Sequence, residues 1–288
     1  GLSHKNKIKL RFSYDLSGAY MTGIREWSYS GKASYRWGKN RNGSLTAEYS
    51  NGIDPRFRSE LYSVFVNSIQ TLRGSPDYFD YFRNERQRLE VGYRLSKIKT
   101  NMSVAVHNEH HKSAVKTTDD NLLGSDHRQR KNPPVEKGFL RSVELIAVYG
   151  SPERVPFGVT GENRAELAVE HSTPWLLESD FTFTQLRLLI DWRFTTFLKR
   201  RLMPATLDVR VIGGVSTGDL PVQQFGIVDG TLSAFSPFGS LRSLRNHPLE
   251  GEQYCALFWE HNFRTIPFEL AGLGWLARPQ VLGGEGAG

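Results

Sequence analysis

The stretch Thr184-Gln185-Leu186-Arg187-Leu188-Leu189-Ile190-Asp191-Trp192-Arg193-Phe194 alternates with a period of two. In an extended chain Leu186, Leu188, Ile190, Trp192 and Phe194 fall on one face, and Gln185, Arg187, Asp191 and Arg193 on the other. A helix would mix these two sets, so the stretch reads as a strand with one apolar and one charged face. The same period recurs along the chain. Ile8, Leu10, Phe12 and Tyr14 alternate with Lys7, Lys9, Arg11 and Ser13, and Ala33, Tyr35 and Trp37 with Lys32, Ser34 and Arg36. Further strands are predicted around Leu45–Tyr49, Leu89–Leu95, Met102–Val106, Val143–Tyr149, Ala165–Val169, Leu207–Val211 and Cys255–Trp259. A last, Gly-rich strand is expected near Phe268–Leu276. The fold class is therefore all-β, an antiparallel up-and-down sheet of about eleven strands.

Composition narrows the setting. Apolar residues make up 39% of 288 and the net charge is +7, with a mean hydropathy of −0.44. No apolar run approaches the roughly 18 residues of a spanning helix. A membrane β-barrel escapes that exclusion, because its strands are only half apolar and average to a soluble-looking hydropathy. A single cysteine, Cys255, excludes an internal disulfide and a cysteine-built metal site. The chain opens Gly1-Leu2-Ser3-His4-Lys5 without the apolar segment of a signal peptide, so a mature chain or a fragment is expected.

The connections are unequal. Residues 39–42 and 96–98 read as tight turns, whereas 52–85, 112–137 and 216–251 are long and all fall on the same parity. An up-and-down sheet then carries its largest loops at one end, as outer-membrane barrels do. Aromatics near strand ends, such as Trp27, Tyr29, Trp37, Tyr49, Tyr149, Trp192, Phe194 and Phe263, fit interfacial girdles. A transmembrane β-barrel is the leading expectation, with Arg187, Asp191, Arg193, Asp208 and Arg210 facing its lumen. A soluble all-β binding protein also alternates in this way and stays open.

The carboxy-terminal third carries Val211-Ile212-Gly213-Gly214-Val215-Ser216-Thr217-Gly218-Asp219-Leu220-Pro221, a long loop, and then a strand ending Phe258-Trp259-Glu260-His261-Asn262-Phe263. With Thr71–Phe82, which ends in paired aromatics, this resembles the surface-antigen superfamily of outer-membrane assembly and secretion barrels. More narrowly it is similar to an uncharacterised Bacteroidetes-type barrel family that follows a carboxypeptidase-regulatory-like domain. The resemblance implies a bacterial outer-membrane, non-enzymatic protein that inserts or translocates polypeptide or lipid-linked clients, with the bilayer and lipopolysaccharide headgroups as partners. It implies that a barrel seam and a locally thinned bilayer lower the cost of inserting unpaired strands. It also implies a loop folded into the lumen, anchored by Arg242 or Arg245 to Glu260. Residues 1–288 would form a single barrel domain lacking its closing strands and an upstream periplasmic domain. A substrate-selective porin is the alternative.

Other candidates are weaker. His107, Glu109 and His111 share one face of a strand beside His110, a pattern that a solvated polar surface explains without a metal. No Gly-x-Ser-x-Gly elbow marks a hydrolase, and the residues call for no cofactor. Lys and Arg are dispersed along strands without the motif of a nucleic-acid module. Cys255 is expected on the apolar face.

Overall fold

The computed structural model describes residues 2–7, 11–21, 26–116, 129–150, 163–197, 205–232 and 236–273. Eleven strands form one antiparallel sheet in chain order. They are β1 (Leu2–Lys7), β2 (Phe12–Met21), β3 (Glu26–Trp37), β4 (Gly43–Pro55), β5 (Tyr81–Leu95), β6 (Thr100–Ser113), β7 (Gly138–Gly150), β8 (Arg164–Ser172), β9 (Phe183–Thr196), β10 (Ala205–Gly218) and β15 (Tyr254–Asn262). Four short strands precede β15: β11 (Gly226–Val228), β12 (Gly230–Thr231), β13 (Leu241–Arg245) and β14 (Leu249–Gly251). They pair β11 with β14 and β12 with β13, outside the main sheet. β1 and β15 are its two edges and are not hydrogen-bonded to each other, so the sheet is not closed.

Register carries the two-residue period across the whole sheet. Leu45, Val91, Val104, Leu145, Val169, Leu186 and Val215 lie in one row of paired residues from β4 to β10. The adjacent row on the opposite face, from β5 to β10, runs Glu90, Ala105, Glu144, Glu170, Gln185 and Ser216. Burial inverts the pattern of a water-soluble sheet. Trp259 is 69% and Leu257 63% exposed, whereas Glu109 is 5% and Glu144 4% exposed. The apolar face points outward and the charged face is covered.

What covers it is the set of long connections. The connections 56–80, 114–137 and 219–253 all leave the same end of the sheet, while β3–β4 and β5–β6 turn tightly at the other. The first holds α1 (Val64–Leu72), capped at its N-terminus by the Ser63 hydroxyl, which accepts from Val66 N–H. Phe57, Leu61, Tyr62, Tyr78 and Phe79 from this connection pack with Ile227 and Leu232 from the 219–253 connection into one apolar cluster. Val228 continues inward onto Leu189 and Ile212, and Leu220 onto Leu140 and Phe183, apolar residues of the charged face. The connections thus form a cap with its own core.

Two expected elements differ. The predicted strand over Ile8–Tyr14 straddles the break between β1 and β2, and residues 8–10 lie outside the described residues. The predicted strand near Phe268–Leu276 begins instead as helix α2 (Ile266–Leu270), with Pro267 in its first turn, and residues 274–276 lie outside the described residues. Proline suits a first helical turn and removes a ladder donor from a strand. An amino-terminal strand not foreseen as separate therefore restores the expected number.

Tyr254 fixes how cap and sheet meet. Its ring lies over Gly214, the residue opposite it on β10, and against Gly226 of the cap. A methyl group on Gly214 would come within 2.5 Å of the ring, and one on Gly226 would overlap it. Gly226→Ala is expected to lower stability by about 1–3 kcal/mol through overpacking, with cleavage of the 219–253 connection in limited proteolysis as the readout. Unchanged proteolysis and melting would contradict this packing.

Candidate functional site

The covered face is a two-dimensional ion-pair lattice produced by strand register. Asp191 on β9 sits opposite Arg210 on β10, and Arg193 opposite Asp208. Each pair is bidentate: Arg210 donates to Asp191 at 2.6 and 2.8 Å, and Arg193 to Asp208 at 2.5 and 2.8 Å. Such forked bonds are stronger and more directional than single ones. Arg187 reaches past β8 to pair with Glu144 on β7, and lies 3.5 Å from Glu170. All five charged residues read from the sequence as lumen-facing share this face.

A histidine–carboxylate chain extends the lattice across β5 to β7. His107 Nε2 is 3.0 Å from Glu144, and His111 Nε2 is 3.1 Å from Glu109. Asn84 donates to the same Glu109 oxygen at 2.9 Å. Gln223 of the cap donates its amide to His111 Nδ1 at 3.0 Å, which places the ring proton on Nε2, toward Glu109. Every one of these side chains is buried. His107, Glu109 and His111 therefore share a face, as their spacing requires, but are engaged by protein partners. Among the described residues no group of three or more His, Cys, Asp or Glu side chains could hold a metal ion.

Arg242 and Arg245 lie on β13 of the cap and are exposed, as is Glu260 at the far end of β15. No ion pair joins them among the described residues, because β13 lies in the cap at the opposite end of β15 from Glu260. The cap is held by other residues that the sequence did not single out. Arg56 donates to Glu250 at 2.6 Å and to Asp80 at 3.3 Å, joining the first and last long connections. Arg130 donates to Asp80 at 2.8 Å, and Lys116 pairs with Asp77 at 3.2 Å, tying in the 114–137 connection. The sequence signal for these is faint: acidic Asp77 and Asp80 lie among the aromatics of 78–82, with basic residues in two other loops.

Asp229 is the hub of the cap. Its carboxylate accepts from the Tyr78 hydroxyl at 2.8 Å and from Glu60 N–H at 3.0 Å, while Gly230 N–H donates to the same Tyr78 oxygen. Burial lifts the Asp229 carboxyl to about 6; the hydrogen bonds from Ser59, Tyr78 and Glu60 pull it back only in part. The folded cap thus holds the proton more tightly than the unfolded chain does. The contribution of Asp229 to stability is therefore largest below about pH 4 and is lost as pH rises through 6, a difference of about 3 kcal/mol. Asp229→Asn is expected to flatten that part of the melting temperature's pH dependence between pH 4 and 7. An unchanged profile would show that Asp229 is not the titrating group.

Compared with known proteins, the chain matches no family model, and no curated protein matches its sequence.

Proposed function

We propose that this chain is the wall of an outer-membrane β-barrel, non-enzymatic, whose polar interior is occluded by a folded cap and which acts on polypeptide or lipid-linked clients. The observation that carries the membrane reading is the inverted sheet: a continuous apolar face exposed, a charged face buried. On β5 the outward residues Leu89, Val91, Tyr93 and Leu95 are all exposed; they cover about 20 Å at ~3.4 Å per residue. The lipid-facing band of an outer-membrane barrel is about 25 Å tall. Toward the cap the same face turns polar. Gln87, Asn108 and Arg141 follow one another in register and hydrogen-bond in series, with Arg141 also donating to the Glu178 carbonyl. That ring suits lipid headgroups, lipopolysaccharide among them. Cys255 is exposed on the apolar face, in the place of a small lipid-facing residue.

Client handling follows the family resemblance, and the cap supports it over an open porin, since it lies across the polar face. Among the described residues no helix is long and apolar enough to cross a membrane, so crossing would fall to the strands. A bilayer also requires both sheet edges to be paired, which β1 and β15 would achieve with each other or with further strands. A solute-selective channel is the second reading, favoured by the cavity left between cap and sheet.

The test is purification with and without detergent, followed by electrophoresis of heated and unheated samples. Detergent dependence and a faster-migrating unheated band are expected; a monodisperse protein without detergent would end the membrane reading. Leu145→Arg, in the middle of the apolar band, is expected to cost about 2–4 kcal/mol in lipid and to abolish the shifted band. In a water-soluble sheet the same change, at an exposed site, would be close to neutral.

A further inference from the structure

Between cap and sheet lies a cavity of about 330 Å³, roofed by residues 55–60 and 223–227 and floored by the charged face. Arg58 points into it from the roof, and Arg86, Arg88 and Arg187 from β5 and β9. The cavity's carboxylates are largely committed. Glu109 serves His111 and Asn84, Glu144 serves His107 and Arg187, Glu166 is held by Arg164 at 2.5 Å, and Asp54 accepts from Asn84; Glu60 is the remaining carboxylate of the lining. The guanidinium donors are committed only in part: Arg187 pairs with Glu144 and Glu170, and Arg88 with Glu90 at 2.9 Å and, at 3.7 Å, with Glu144. Arg58 has no hydrogen bond or ion pair among the described residues. Nε of Arg86 and Nε of Arg88 are buried without an acceptor, although Glu109 lies 3.5 Å from the former. Apart from burial, the charges that Arg58 feels most are those of Arg86 and Arg187, and together they lower its pKa. Arg58 remains exposed to solvent, and a cation held opposite cations across a cavity favours an anion between them.

We propose that this cavity is a binding site for a small multivalent oxyanion, inorganic phosphate or a phosphomonoester of similar size, gripped by Arg58 from the cap and by Arg86 and Arg88 from the sheet. Guanidinium forks match phosphate oxygens in pairs, which is why arginine rather than lysine suits the role. The volume is at the small end of ligand pockets, so it takes a free solute and not a lipid headgroup. The site does not depend on the membrane reading, because cap and charged face enclose it whatever the apolar face contacts.

Isothermal titration of the purified chain with sodium phosphate, against sodium chloride at matched ionic strength, tests it. Saturable phosphate binding is expected, weakened at least tenfold in Arg58→Gln, partly retained in Arg58→Lys, and unchanged in Lys39→Gln at the far turn. Melting should show the same dependence: Arg58→Gln gains nothing from phosphate, whereas the wild type gains several degrees. The absence of phosphate binding over chloride in the wild type would overturn the proposal. So would Arg58→Gln binding phosphate as tightly as the wild type.

Discussion

Charges removed from water need counter-charges at fixed distance, and in this sheet only one register supplies them. Asp191 meets Arg210 and Arg193 meets Asp208 because β9 and β10 are aligned so that each pair sits directly opposite. Shifting that pairing by one residue would turn every charge of one strand to the apolar side of the other. Breaking a single buried pair costs about 3–5 kcal/mol, because the remaining partner stays buried and unpaired. The lattice therefore fixes register, and register in turn fixes the opposite face. Leu186, Leu188, Ile190, Trp192 and Phe194 line up with Val215, Gly213, Val211, Val209 and Leu207 as a consequence of where the charges pair.

The cap obeys the same constraint in three dimensions. It lays apolar residues on two apolar spots of the charged face: Val228 covers the cross-strand partners Leu189 and Ile212, and Leu220 packs with Leu140 and Phe183. It also meets the sheet through polar atoms that satisfy strand side chains, as Gln223 does for His111 and the Gln224 carbonyl for Gln185. Within itself the cap is a small folded unit, with aromatic rings of Phe57, Tyr62, Tyr78 and Phe79 packed 5.0 to 5.9 Å apart around the Asp229 hub.

Alternation made the sheet legible. Strands β2 to β10 and β15 each contain a predicted apolar–polar segment, and the three long connections emerge at the common end that loop parity foretold. The ends of the chain were misread for physical reasons. Around residues 7–14 the alternation runs on without a Gly or Pro to mark a break, so two strands read as one. Around 266–276 spaced apolar residues imitate a strand, while Pro267 favours a helical turn. The charged face was legible residue by residue, since side-chain parity follows from position alone. The partners were not: Arg187 pairs two strands away with Glu144, and no local pattern encodes a contact across 43 positions. The cap's anchors were hidden for the same reason. Asp229 reads as an ordinary loop acid until Tyr78, 151 positions away, is placed against it.

The packing of the cap bears on what the molecule can do. The cap is held together by its own apolar cluster and meets the floor through two smaller apolar clusters and a few hydrogen bonds, so lifting it as a body would expose less apolar surface within the cap than rearranging its interior. Arg56, Arg130 and Lys116 couple all three long connections, so displacing one displaces the others. The floor left behind would still be neutralised strand by strand, because its bidentate pairs lie within the sheet and do not depend on the cap. The residue that loses its setting is Arg58, which leaves the cavity with the roof. An anion bound between Arg58 and the sheet would act as a bolt across this boundary. Occupancy of the cavity and closure of the cap are thereby linked, and each must favour the other by the same free energy.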